Sequence, residues 1–410
     1  MMQKAIHASV ALGGFEEASD SLRVLAESNV SACRLRRLTM RIGNERIAQV
    51  DQQTSAYQSL PLAAQQQCPI AMAPEVACIE SDGGRMQIRD RTTANAEEKS
   101  SAGSHRSSYW RETKAAALLK LKSQTYDEDP CPEIPEVFVD AARMQRLSRQ
   151  IKGFSAQADK DTAACETPSE MDAPENTLVN ANELHASTRP EIILRSVLAS
   201  TRNIHDFGKQ LNAAAHARGF HAAPRKAFIC DGMACNWNLH EKHFSRYTPI
   251  LDFVHALCYV YHAAMAGQNS AAAWTLYCQW AQWLWSGQIE LLLAALEQRH
   301  QAMALNNTDD SESSPLNKIS EALNYLRNQS SRVNYPAYRK QGLPITSAHI
   351  ESTIKQLNRR VKGTEKFWST NADPILQLRA DYLSQTQPMK TFWQSRCQKL
   401  PVSTLYKLAK

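Results

Sequence analysis

The chain has 410 residues, 43% hydrophobic and 21% charged, which is the ordinary balance of a soluble globular protein with room for two or three domains' worth of core. No apolar run approaches the roughly 18–20 residues a membrane span needs, and the N-terminus carries no convincing cleavage site, so the expected location is the cytoplasm. The net charge of +6 favours an anionic partner only mildly, and ten cysteines with no C-x-x-C pair read as reduced thiols.

In chain order, residues 14–27 carry a helical pattern, "SNVS" breaks it, and a second helix covers 31–49. That helix carries Arg34, Arg36, Arg37, Arg41 and Arg46 against one acid, Glu45. Helix, short turn and basic helix are compatible with a helix-turn-helix, and equally with the solvated face of a helical hairpin. The Gln-rich stretch from 52 reads as a linker. Strands are expected at 75–90, 110–123, 191–201 and 226–231, and a fifth, short one in "TPILDFVHA" (248–256) leading into a helix, with a further helix over 204–218. Residues 157–185 hold seven acids and one lysine and read as an acidic surface insertion. Three antiparallel-looking strands followed by αβ units is the RNase H-like order of an α/β protein.

The expected division is a helical part at 1–51, a linker at 52–74 and core strands over 75–256, with the acidic insertion at 157–188. A helical insertion at 257–343, a core helix at 344–368 and a helical tail at 369–410 complete it.

Carboxylates stand at the ends of these elements. Asp82 lies near the end of an apolar strand before Gly83 and Gly84, and Asp231 ends "KAFICD" before Gly232. Asp252 follows "PIL", and Glu351 falls in the first turn of the helix that "GLPITS" introduces. On that helix Ile350, Ile354, Leu357 and Val361 form an apolar stripe, beside a stripe of Glu351, Lys355, Asn358 and Lys362. Phosphoryl transfer on DNA uses two divalent ions about 3.5–4 Å apart. Mg²⁺ prefers carboxylate oxygen and water as ligands. An acid beside glycine is more often a turn or a cap; the ordered set is what points to metal.

The set "SDGGRMQIR", "SYWRETKAAALL", "CDGMACNWNLH", "LDFVHAL" and "GLPITSAHIESTIKQLNRRVKGTEKFW" resembles bacterial insertion-sequence transposases of the ISKra group. The tail "ILQLRADYLSQTQPMKTFWQSR" is similar to that group's C-terminal pattern. These are DDE enzymes with an RNase H-like core, akin to Mutator-like transposases, and the resemblance spans roughly residues 15–400. It implies a catalytic, metal-binding triad of Asp82, Asp231 and Glu351, spaced by 149 and 120 residues, and places the D-x-x-H signature on Asp252 and His255. His255 would sit near the site, positioning a phosphate or water or orienting Asp252. The resemblance further implies Mg²⁺ or Mn²⁺, two ions, and double-stranded DNA as partner, both transposon ends and target, bound by a dimer or larger assembly. DNA backbone contacts fall to Arg34, Arg37 and Arg41 and to Lys355, Arg359, Arg360, Lys362 and Lys366, so affinity is expected to fall steeply with salt. Relatives carry more sequence before the first hairpin, so a shortened or inactive DNA-binding copy stands as an alternative, as does a nuclease without strand transfer.

Three further features have rival readings. Cys230, Cys235, His240 and His243 imitate a zinc pattern, yet Cys230 continues an apolar strand rather than a knuckle. Trp274, Tyr277, Trp280 and Trp283 recur every three residues, with Trp285 beside them; this reads as a packed helix stripe, with base stacking the functional alternative. Glu112 could approach the metals, or pair across the strands with an arginine.

Overall fold

The computed structural model describes residues 1–68, 72–88, 110–150, 189–267, 271–305, 314–362, 368 and 372–399. The acidic insertion and Lys366 lie outside the described residues.

Every strand expected from the sequence is present. β1 (Val76–Gln87), β2 (Trp110–Lys122), β3 (Glu191–Ser200), β4 (Arg225–Cys230) and β5 (Thr248–Leu251) form one mixed sheet in the order β3-β2-β1-β4-β5. β2 pairs antiparallel with β1 and β3, while β4 pairs parallel with β1 and β5. Parallel pairing needs a crossover, which the helices between these strands supply. β1 lies at the centre, and its first six residues are buried on both faces, which is why "VACIES" reads as an unbroken run rather than an alternation.

The N-terminal helices are α1 (Met2–Ala11), α2 (Phe15–Ala26) and α3 (Ala32–Gln58), with α4 (Leu62–Gln66) following. The first three share a small core of Ala5, Ala18, Leu22 and Leu35. The linker expected at 52–74 is corrected: its first seven residues prolong α3 to 27 residues, about 40 Å. Gln and Ala sustain a helix well, and no proline intervenes before Pro61.

After β2 come a 3₁₀ turn (Glu136–Phe138) and α5 (Ala141–Gln150); α6 (Ile204–Ala217) joins β3 to β4, and α7 (Ala234–His243) joins β4 to β5. α8 (Phe253–Met265), α9 (Ala271–Trp285), α10 (Ile289–Ala304), α11 (Pro315–Gln329) and α12 (Tyr335–Lys340) form the helical insertion. Phe253 centres its core, with ring centroids 5.1 Å from Phe138, 5.0 Å from Trp285 and 5.1 Å from Tyr335. α13 (Ala348–Val361) returns to pack on β1 and β2, followed by α14 (Asp373–Leu383) and α15 (Pro388–Lys399).

The C-terminal segment is no loose tail. α14 lies between α3 and β3. There Arg46 meets Asp381 at 2.8 Å, both buried. Arg46 therefore belongs to the interior, not to a basic surface. Among the described residues, no helix is long and apolar enough to cross a membrane.

Candidate active site

The site forms where the parallel pairing of β1 with β4 ends. Its last rung aligns Ser81 with Cys230, so Asp82 and Asp231 follow as neighbours; Asp231 leaves the sheet, while β1 runs on to Gln87 and Asp82 stays paired with Ala115 of β2. Both are half-buried. Residues 80, 82 and 84 share one face of β1, and α13 crosses that face. A Cβ on Gly84 would meet Thr113 Oγ1 of β2 at 2.7 Å and only touch Ile354 Cγ2 of α13, at 3.8 Å, so it is the neighbouring strand that leaves no room there.

Asp231 is held by a built turn. Its Oδ1 accepts hydrogen bonds from the Met233 amide (3.2 Å) and Asn236 Nδ2 (3.0 Å). Asn236 Oδ1 in turn accepts from Ser81 Oγ at 3.2 Å, which ties the turn back to β1. From α11, the Tyr325 hydroxyl donates to the Asp231 carbonyl (2.8 Å) and Gln329 Nε2 to the Gly232 carbonyl (3.2 Å). Tyr325 is stacked on Tyr259 of α8, with centroids 3.8 Å apart. Gly232 has φ +88°, and a Cβ there would lie 2.9 Å from the Tyr325 hydroxyl. The strand thus ends on a carboxylate that its own turn and the helical insertion both hold. Gly232→Ala is expected to cost about 1–3 kcal/mol of stability from backbone strain. Urea melts check this; an unshifted midpoint would show that the turn relaxes freely.

Glu351 enters from α13, whose N-cap Ser347 makes no side-chain cap of its own. Two buried carboxylates cap it instead. Asp252, 1% exposed, accepts from Ser347 Oγ at 2.6 Å and from the Ser347 amide. Glu80, 0% exposed, accepts from the Ile350 amide at 2.8 Å. Asp252 also caps α8 by accepting from the His255 amide at 2.8 Å. His255 Nδ1 lies 3.2 Å from Asp252 and 3.8 Å from Glu351, within ion-pair reach of both yet with no aligned hydrogen bond.

The charges explain one another. Burial pushes the Glu351 carboxyl up to about 7, aided by Asp252 and Asp82 and opposed by His255. Burial works against the His255 imidazolium, but Asp252, Glu351 and Asp231 outweigh it and hold its pKa at about 9. Burial also opposes the Asp252 carboxylate, yet His255 and Ser347 keep its pKa below the usual carboxylate range. Burial raises the Glu80 carboxyl well above its ordinary value. Asp82, Asp231, Asp252, His255 and Glu351 are therefore one electrostatic cluster.

Donor atoms of Asp252, His255 and Glu351 lie within 4.8 Å of one another, the only such group among the described residues. Asp252 is the poorest ligand in it, because Ser347 and His255 already use its oxygens. The hard oxygens of Asp82, Asp231 and Glu351 suit a divalent cation better. The His255 Nδ1 lies buried between two carboxylates, 3.2 Å from Asp252 and 3.8 Å from Glu351, and its charge is balanced by them.

Arg34, Arg37 and Arg41 are exposed along one face of α3, and Lys355, Arg359 and Lys362 are exposed on and just beyond α13. Arg360 is corrected: it is 2% exposed, donates to the Ser9 carbonyl at 2.8 Å and lies over the Phe15 ring, so it cannot reach DNA. Glu112 faces Arg85 in register, and its carboxylate binds Lys114 at 2.9 Å. Of the zinc-like set, Cys230 is buried in β4 and His240 Nε2 contacts the Tyr247 carbonyl at 2.8 Å, so no cluster forms. Tyr277, Trp280 and Trp285 are core residues, while Trp274 and Trp283 are half-buried. Sequence reasoning missed Glu80, Asn236, Tyr325 and Gln329. Glu80 alone left a signal, an acid two residues before Asp82 on the same strand face. No protein-family model matches the chain, and neither does any curated protein sequence.

Proposed function

We propose that the chain is a DDE-type transposase that cuts DNA at insertion-sequence ends and joins the freed 3′ ends to target DNA. The observation that carries this reading is that Asp82 and Asp231 each follow the last rung of the parallel β1–β4 pairing, with Glu351 near enough for Asp82 to perturb its carboxyl. The sheet order β3-β2-β1-β4-β5, with its first three strands antiparallel and the last two added in parallel to β1, supports an RNase H-like core. The five sequence motifs that resemble the ISKra group supply the transposase half of the inference.

Two divalent cations held by Asp82, Asp231 and Glu351 would supply the Lewis acidity that phosphodiester chemistry needs. The chain's own residues do the rest. Asn236, Tyr325 and Gln329 fix the Asp231 turn, through bonds to Oδ1 and to the backbone carbonyls. Asp252 and Glu80 set the start of the helix that presents Glu351. His255 keeps a proton at physiological pH and offsets the negative charge packed around it. Arg34, Arg37, Arg41, Lys355, Arg359 and Lys362 offer cations to the DNA backbone. The enzyme would act on DNA in the cytoplasm, as a dimer or larger assembly, since two ends must be joined.

The test is strand cleavage and joining on a labelled duplex carrying the element's own ends, with Mg²⁺ or Mn²⁺ and with chelator. Nicking and joined product, both lost on chelation, are the expected result. Nicking without joining would make the chain a nuclease. Binding without nicking would make it an inactive, transposase-derived DNA-binding protein.

A further inference from the structure

Glu80 is a carboxylic acid in the interior of the central strand, 0% exposed, and its opposite charges are Arg189, just before β3, and Arg195 within it. Its strand partners are Ala117 on β2 and Ile229 on β4, both apolar and buried. Burying a carboxyl is costly, and a well-packed apolar side chain is often the more stable choice. The return is small. Oε1 has no hydrogen-bond partner, and Oε2 accepts one bond, from the Ile350 amide at 2.8 Å. That amide has a longer, weaker contact of 3.1 Å to the Ser347 carbonyl.

What the bond achieves is geometric. It links the residue immediately before Glu351 to the residue two before Asp82. Four residues along both elements, Ile354 faces Gly84. Between these two contacts lies Glu351, whose carboxyl Asp82 perturbs. Asp252 holds the helix from the other side through Ser347, so the start of α13 is fixed by carboxylates from two elements.

We propose that Glu80 is a positioning residue, which fixes the depth of Glu351 relative to Asp82 and so sets the spacing of the metal-binding carboxylates. This rests on the phosphoryl-transfer reading of the site. It assigns Glu80 no contact with the ions or with DNA. An outer residue that orients a ligand typically changes metal affinity by about 10–100-fold when lost.

Glu80→Met keeps length and volume and removes the acceptor; Glu80→Gln keeps an acceptor oxygen for the amide. Three readouts separate them: Mn²⁺ affinity by calorimetry, hydrogen exchange at the Ile350 amide, and the melting temperature. Glu80→Met is expected to melt no lower than wild type, to bind Mn²⁺ at least about tenfold more weakly, and to exchange the Ile350 amide faster. Glu80→Gln is expected to stay close to wild type in all three. Wild-type Mn²⁺ affinity in Glu80→Met would overturn the proposal, and so would a Glu80→Gln variant as impaired as Glu80→Met. A wild-type chain that binds no Mn²⁺ would instead overturn the metal reading, while the exchange rates would still report whether Glu80 holds the helix start.

Discussion

Asp231→Asn is expected to lower metal-dependent strand cleavage by about 10³-fold or more, the equivalent of several kcal/mol of charge stabilisation. The fold should barely notice. The oxygen that accepts from Met233 and Asn236 survives in the amide, and the carbonyl bond from Tyr325 is untouched. What changes is the charge and the second oxygen, the one those partners leave for a cation. Cleavage is read on the labelled duplex, and folding by the melting temperature, expected within about 3 °C of wild type. Full activity in the variant would mean that the site is misplaced, whatever the fold. Lost cleavage with an intact melt is the pattern expected of a ligand, because a structural aspartate would lower both together.

The parts of this molecule that were legible in its sequence are those with local causes. Each strand is an apolar run with a turn signal behind it, and the run into Asp231 and Gly232 marks both the strand and its end. The apolar stripe of α13 is buried as its spacing predicts. What was hidden depends on distant partners. Arg46 and Arg360 look like members of basic faces, but each is buried by an element far along the chain, Arg46 by Asp381 and Arg360 by Ser9 and Phe15. The stripe of α13 is wider than its apolar residues suggest, since Thr353 and Arg360 are buried beside it. The polarity of the Gln-rich stretch after residue 50 suggests a linker, whereas helix propensity and the packing of buried Tyr57 on His216 of α6 make it the end of α3. Tyr325 and Gln329 were invisible because their role is to hold backbone carbonyls about 95 residues away. No local pattern encodes such a contact.

The metal-free chain is expected to lose stability as pH rises from about 6.5 to 9. His255 ordinarily titrates near 6.5, and its carboxylate neighbours hold it at about 9 in the fold. A group raised in the folded state contributes stability that is fully present below its unfolded pKa and is lost as pH passes its folded one. A shift of this size is worth on the order of 3 kcal/mol. Glu351, raised to about 7, acts in the same direction at lower pH, since its folded site disfavours the carboxylate. The acid side is governed by opposite groups. Burial lowers His221, His243, His262 and His349 to about 4, so each loses stability as pH falls from 6.5. Asp252, with its depressed pKa, adds a further loss at still lower pH. Glu80 and Asp381, both raised by burial, act in the same direction as His255. A divalent cation should reverse the alkaline loss, because its carboxylate ligands must be charged and binding to the native state alone adds stability. Urea melts across this range, with chelator and with Mg²⁺, measure both effects. In His255→Gln the alkaline slope should flatten. A wild-type profile already flat above neutral pH, or a Mg²⁺ effect independent of pH, would mean that the cluster of Asp82, Asp231, Glu351 and His255 holds neither that proton nor an ion.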